Sequence, residues 1–307
     1  MPTQRDTFLD KLYEIAKDDR RVILLSNDFG APSLDKWRRD LPNQLINTGI
    51  AEQNTINVAR GLAMAGRTVF TYAILPFYMR AYEQIKHLCM QNLNVNMVGV
   101  GAGFAYSTAG PTHHALEDIA AMRALPNLAI FNASDTTMAR AFARIAYNEL
   151  GPKYIRLDRY TLSIYPEKAD FSEGYVFWTS ERDVTIIASG YMVQHAFKIA
   201  DNLEKRGAGA QIIDLYKIKP FSPELIVNLA LGKPIVTIEE SFLNGGIGSI
   251  LAEALALENK SVPLLRIGVP DEYCFSYAGR EELHRLCGLD VDSITKRILK
   301  WLGAKNG

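Results

Sequence analysis

No stretch of the 307 residues approaches the roughly 20 apolar residues in a row that a membrane-spanning helix needs. The first twenty residues, MPTQRDTFLDKLYEIAKDDR, are crowded with charge and lack the apolar core of a secretory signal. Cysteine is scarce. Cys89, Cys274 and Cys287 are odd in number and far apart in sequence, which fits no zinc spacing and suits a reducing compartment, so a cytoplasmic location is expected. No charge of one sign prevails, because 34 Lys and Arg balance 34 Asp and Glu. That balance removes the electrostatic case for nucleic-acid or membrane-surface binding and leaves small molecules and other proteins as partners. Low-complexity tracts and internal repeats are absent as well. Neither glycine-rich loop completes a nucleotide signature. Tyr106 stands at the third glycine position after Gly101 and Gly103, and NGGIGS at 244–249 lacks the Lys and Ser/Thr of a P-loop.

What the sequence has in quantity is apolar surface, 48% of its residues, in a length suited to about two domains. Short β-branched runs alternate with longer amphipathic stretches from end to end, which predicts an α/β protein of parallel sheets covered by helices. In the first half the expected strands are Val22–Ser26, Leu45–Asn47, Thr68–Ala73, Val95–Val100, Leu128–Asn132 and Tyr154–Leu157. Between them lie helices over 4–18, 51–65, 77–91, 115–124 and 136–149. The periodicity lapses after Thr161, around Pro166 and Gly174, and a second α/β unit begins with strands at Val184–Ala188, Gln211–Leu215, Pro234–Glu239 and Leu264–Ile267. It closes on a helix over 292–301. The expected organisation is two consecutive open, mainly parallel sheets flanked by helices: a first domain over 1–165, a linker over 166–182 and a second domain over 183–307.

In open α/β sheets ligands sit beyond the carboxyl ends of the strands, so the loops there carry the candidates. NTGIAEQN, 47–54, places Glu52 in a first helical turn, where an acid also simply complements the helix dipole. ILPFYMRAYEQ, 74–84, offers Phe77 with Tyr78 and Tyr82, aromatics that helical spacing equally assigns to a core. GAGFAYSTAGPTHHALED, 101–118, carries His113 and His114 without the helical spacing or cysteines of a metal site. YIRLDR, 154–159, puts Arg156 and Arg159 at a strand end. In the second unit NGGIGS suits an anion or tight packing at a helix start, and His195 and His284 read as surface or structural residues.

In this order GIAEQN, the Phe77 loop, GPTHHALEDIAAMRALPNL and the arginine-bearing strand end resemble the pyrimidine-binding domain of transketolases. DLYKIKPFSPELI, 214–226, and IEESFLNGGIGSILAEAL, 238–255, resemble that family's C-terminal domain. The resemblance covers nearly the whole chain, and it implies thiamine diphosphate as cofactor. Glu52 then holds the place of the carboxylate that bonds the aminopyrimidine ring nitrogen and favours the imino tautomer that activates the thiazolium. Phe77 takes the place of the aromatic packed on that ring, and Asp28, Ile74 and Arg80 fall among the cofactor-side positions. His113 corresponds to the imidazole beside the reacting carbonyl. Arg159, Arg5 and Ser33 correspond to residues that grip the phosphate of a sugar phosphate.

Departures accompany the match. Ile74 and Arg80 stand where many transketolases have aromatics, Ala109 where sugar-phosphate enzymes carry an aspartate, and Gly101 where they often carry a phosphate-side histidine. No GDG motif occurs, so the resemblance implies that Mg²⁺ and the diphosphate are held by another polypeptide, the N-terminal transketolase subunit. It also implies that this chain is a homodimer within a heterotetramer. The expected activity is transfer of a two-carbon ketol unit from a ketose, phosphorylated by expectation, to an aldose. The alternatives are a deoxyxylulose phosphate synthase-like carboligase, the β subunit of a 2-oxo acid dehydrogenase, or a non-catalytic assembly subunit.

Overall fold

The computed structural model describes residues 2–178, 183–220, 222, 228, 230 and 232–303. In chain order its helices are α1 Gln4–Asp18, α2 Leu34–Asp40, α3 Glu52–Met64, α4 Tyr82–Met90, α5 Asp118–Arg123, α6 Thr136–Asn148, α7 Met192–Glu204, α8 Ile247–Leu257, α9 Arg280–Leu286 and α10 Val291–Trp301. The strands are β1 Val22–Ser26, β2 Leu45–Asn47, β3 Thr68–Ile74, β4 Val95–Val100, β5 Ala129–Asn132, β6 Lys153–Leu157, β7 Val176–Trp178, β8 Val184–Ala188, β9 Ala210–Asp214, β10 Lys217–Lys219, β11 Ile235–Phe242 and β12 Leu264–Val269.

They form a seven-stranded sheet ordered β10-β5-β6-β4-β3-β1-β2 and a five-stranded sheet ordered β12-β11-β8-β9-β7. Every pairing is parallel except β10 on β5 and β7 on β9. Each sheet buries both faces, which is why strands such as VILLS and VTIIA are continuously apolar or small. One face of the first sheet packs Phe8, Leu12, Trp37, Phe70 and Phe142, the other Ile56, Tyr78, Ile85, Met97 and Tyr154.

The two halves interlock more than the sequence suggests. Val176–Trp178, inside the stretch read as a linker, is an edge strand of the second sheet, whereas residues 179–182 lie outside the described residues. Lys217–Lys219 returns to the edge of the first sheet beside β5. Of the 214–226 motif, residues 221 and 223–226 lie outside the described residues. Phe104 and Leu116, in the loop after β4, pack into the core of the second sheet with Ile186, Val193 and Leu283. This loop is therefore clamped between the sheets while its tip stays at the strand ends.

Candidate active site

The carboxyl ends of β1, β2, β3, β4 and β6 face one cleft, and most of the candidate residues follow them directly. Glu52 opens α3 one turn after β2 and is buried, with its carboxylate at the positive end of the helix. Phe77 lies in a 3₁₀ turn, Leu75–Ala81, that begins where β3 ends at the half-buried Ile74. Tyr78 and Tyr82 point away from the cleft: the Tyr78 hydroxyl is hydrogen-bonded to Thr71 and the Val98 carbonyl, and Tyr82 donates to the Ala121 carbonyl. They are core residues.

His113 meets Phe77 edge to face, with ring centroids 5.2 Å apart, and its Nδ1 is 3.0 Å from the Thr112 hydroxyl. The neighbouring histidine does another job. His114 is buried, its Nε2 is 3.2 Å from the Ser107 carbonyl and its ring packs edge-on to Phe104 at 5.0 Å. Burial also lowers its pKa, so it is a neutral brace for the loop. A pair of backbone hydrogen bonds between Gly103 and Ala115 pins the base of that loop.

Arg80 bridges Glu52 and Phe77. Its Nη1 is 3.5 Å from Glu52 Oε1 and its guanidinium carbon 4.4 Å from the centroid of Phe77. Gln53 donates to the Arg80 carbonyl at 3.0 Å, which holds the turn against α3. Asp28, with φ of 55°, is exposed at the end of β1 and accepts from Asn47 at 2.8 Å. It sits on the rim, joined through Asn47 to Gly49 just ahead of Glu52.

A second group lies beyond His113. The α1 N-terminus reaches the end of β6 because Gln4 accepts from Asp158 N at 2.8 Å. This places Arg5 beside the loop after β4. Arg5 donates from Nε and Nη2 to Asp6 at 3.0 Å each, and the Ser33 hydroxyl donates weakly to the same carboxylate at 3.4 Å. Arg159 is exposed, with its guanidinium 4.9 Å from the Tyr106 ring centroid, and that ring is 6.3 Å from His113. Arg5 is close enough for its charge to act on the same phenol.

Arg156 takes no part in the cleft. It is buried in a two-pronged ion pair with Asp118, Nε to Oδ2 at 2.7 Å and Nη2 to Oδ1 at 3.1 Å. Ala109 is exposed at the loop tip. Gly101 has φ of 106°, and a Cβ there would fall 2.3 Å from the Tyr106 ring, so the phenol occupies the space of the missing side chain.

Several participants escape a reading of the sequence. Asp6 shows there only as an adjacent charge in QRD, and Tyr106 only as the residue that breaks a glycine pattern. Behind Arg159, Asp158 accepts from Arg280 at 2.6 Å, and Arg280 and His284 both bind Glu240. His195 and His284 are buried rather than on the surface, 5.0 Å apart by ring centroids. The NGGIGS loop is not open to an anion. Glu239 accepts from Ile247 N at 2.8 Å and Gly248 N at 3.0 Å, and a Cβ on Gly246 would lie 1.8 Å from it.

Comparison with known proteins finds relatives over the whole chain. Residues 1–163 match the family described as transketolase, pyrimidine binding domain, and residues 176–294 match transketolase, C-terminal domain. An apulose-4-phosphate transketolase subunit of Phocaeicola vulgatus is 34% identical, over 97% of this chain and 97% of its own length. The 6-deoxy-6-sulfo-D-fructose transketolase subunit SqwH of a Clostridium species is 37% identical, over 98% of this chain and 95% of its own. A solved structure described as a split gene transketolase, inactive beta4 tetramer, superposes with a TM-score of 0.87 at 32% identity, covering 99% of both chains.

Proposed function

The chain belongs to the transketolase family as a C-terminal subunit of the split type, and on that premise we propose that it transfers a two-carbon ketol unit from an anionic ketose to an aldose, with thiamine diphosphate, once joined to a diphosphate-binding partner. We assign residues 1–165 to the pyrimidine half and 183–307, with the edge strand β7 ahead of it, to the C-terminal domain, from which β10 reaches back to the first sheet. The observation that carries the reading is that buried Glu52, after β2, and half-buried Phe77 and His113, after β3 and β4, meet at the carboxyl edge of the sheet, with Arg80 bridging Glu52 to Phe77 and His113 against Phe77.

The residues present fit the aminopyrimidine end of that cofactor. Glu52 is a buried carboxylate whose one side-chain partner among the described residues is the exposed Arg80, so it is available to a ring nitrogen. Phe77 offers an aromatic face, presently covered by a planar guanidinium, which is the shape and polarity of an aminopyrimidine edge. Ile74 and the rim residue Asp28 complete the cofactor side. Among the described residues no group of three or more His, Cys, Asp or Glu side chains could hold a metal. On the family relationship we assign Mg²⁺ and diphosphate binding to the partner, with a homodimer of this chain inside a heterotetramer.

When bound, the cofactor supplies a carbon nucleophile for the ketose carbonyl. Glu52 holds or shares a proton at the ring nitrogen, and its burial strengthens that bond. His113, oriented by Thr112 and by its contact with Phe77, donates to the carbonyl oxygen of the ketose or relays its proton. Arg159 and Arg5 grip the far end of the sugar. The two relatives carry a phosphorylated and a sulfonated sugar in their names, which supports an anionic substrate. Among the described residues no helix is long and apolar enough to cross a membrane, and we place the enzyme in the cytoplasm. Co-purification of the chain with a partner and bound thiamine diphosphate, followed by a ketol-transfer assay, tests the proposal. A complex with cofactor but no donor cleavage favours the non-catalytic alternative.

A further inference from the structure

The charge at the far end of the cleft is lower than its two arginines suggest. Arg5 directs Nε and Nη2 at Asp6, each at 3.0 Å. The Thr3 hydroxyl donates to that carboxylate at 2.7 Å, and Ser33 adds a weak donor at 3.4 Å. Burial works against the charge on Asp6, but these hydrogen bonds hold its pKa below the ordinary value. Asp6 is therefore an ion at neutral pH, and it takes up the Arg5 and Ser33 donors that a substrate anion could use. Arg159, by contrast, has no acidic partner among the described residues and rests on the rings of Tyr106 and Tyr160 at 4.9 and 5.9 Å. Asp158 next to it accepts from Arg280 at 2.6 Å, a cation it shares with Glu240.

Tyr106 completes this end. Its ring lies over Gly101, in space that any side chain at 101 would take. Burial raises the phenol pKa against the opposing pull of Arg159 and Arg5, so the group is a neutral O–H donor and adds no positive charge. At the front of this end two arginines and one carboxylate leave a formal charge of one, and the buried group behind, where Arg280 serves both Asp158 and Glu240, adds no net positive charge.

We infer that this end accepts a singly charged oxyanion of the sulfonate or carboxylate class in preference to a phosphate dianion, and that Asp6 and Tyr106 set that preference. The inference rests on the transketolase reading and narrows its substrate. A single charge is balanced by Arg159, with Arg5 and the Tyr106 hydroxyl as further donors. The second charge of a phosphate faces the Asp6 carboxylate, and repulsion at that range is weakly screened in a half-buried cleft.

The test uses the complex of this chain with its diphosphate-binding partner and ketoses of one carbon skeleton that end in sulfonate, phosphate or hydroxyl. The wild-type complex should favour sulfonate over phosphate in kcat/KM by about tenfold, the effect of one charge at such a site. Asp6→Asn should erase most of that ratio by lowering KM for phosphate while kcat holds, and Asp6→Glu, which keeps the charge, should retain it. Tyr106→His should move the ratio in the same direction as Asp6→Asn. A wild-type preference for phosphate, or a ratio that Asp6→Asn leaves unchanged, overturns the inference and leaves ketol transfer standing. Failure to cleave any of the three ketoses overturns both.

Discussion

The guanidinium of Arg80 lies 4.4 Å from the ring centroid of Phe77 while its Nη1 reaches to within 3.5 Å of Glu52. One planar cation thus covers the two side chains proposed to meet the aminopyrimidine. Its side chain is 57% exposed, so the cover is held weakly and can swing into solvent.

Arg80→Ala should therefore bind thiamine diphosphate more tightly in the assembled complex, about fivefold, the combined worth of one exposed ion pair and one cation–π contact. Isothermal titration with the cofactor measures this directly. Binding weakened by a similar factor identifies Arg80 as a cofactor ligand.

Gly101 and Tyr106 make a steric pair. Gly101→Ala should cost about 1–3 kcal/mol, part from the clash with the ring and part from φ of 106°. Adding Tyr106→Gly should relieve the clash and leave the backbone strain, a non-additivity visible in urea unfolding.

The Arg280 network ties the sheets together behind Arg159. Arg280 is buried between Asp158 and Glu240, with the Tyr191 ring 3.4 Å from its guanidinium carbon. Arg280→Met leaves buried Asp158 without its cationic partner and Glu240 with His284 alone, and should lower stability by about 3–5 kcal/mol. Differential scanning calorimetry reads the loss, and an unchanged melting temperature shows that the network contributes nothing.

Asp214 gives the stability a pH signature. Burial pushes its carboxyl up to about 7 from 3.8, and the hydrogen bond from Tyr165 at 2.6 Å only partly opposes that. The folded state keeps a proton that the unfolded chain releases, so this group's contribution is full below about pH 4 and is lost as pH rises through about 7. Asp214→Asn cannot ionise. Its stability relative to wild type should rise by about 1–3 kcal/mol between pH 5 and pH 8, measured by chemical denaturation at both.

Much of the fold is legible in the sequence because both faces of each sheet are covered, which makes strands such as Val22–Ser26 and Val184–Ala188 short apolar runs between amphipathic helices. The elements that escape are those whose partners are remote. Val176–Trp178 and Lys217–Lys219 are three-residue edge strands fixed by pairing, and α2 and α9 are seven residues each. In the cleft, Glu52, Phe77 and His113 can be read because each follows a strand within a distinctive motif. Asp6 and Tyr106 cannot, since their effect comes from contacts with Arg5, Arg159 and Gly101 across the fold. The anion reading of NGGIGS fails for the same reason: the acid that fills the loop, Glu239, is in the preceding strand and reads in sequence only as part of it.

Ketol transfer by the wild-type and Glu52→Gln complexes at saturating thiamine diphosphate tests whether Glu52 activates a cofactor shared with a second subunit. Glu52→Gln should assemble with the partner as wild type does and lose at least about a hundredfold in kcat, as removal of an acid–base group does. A Glu52→Gln complex that keeps most of its turnover contradicts the account.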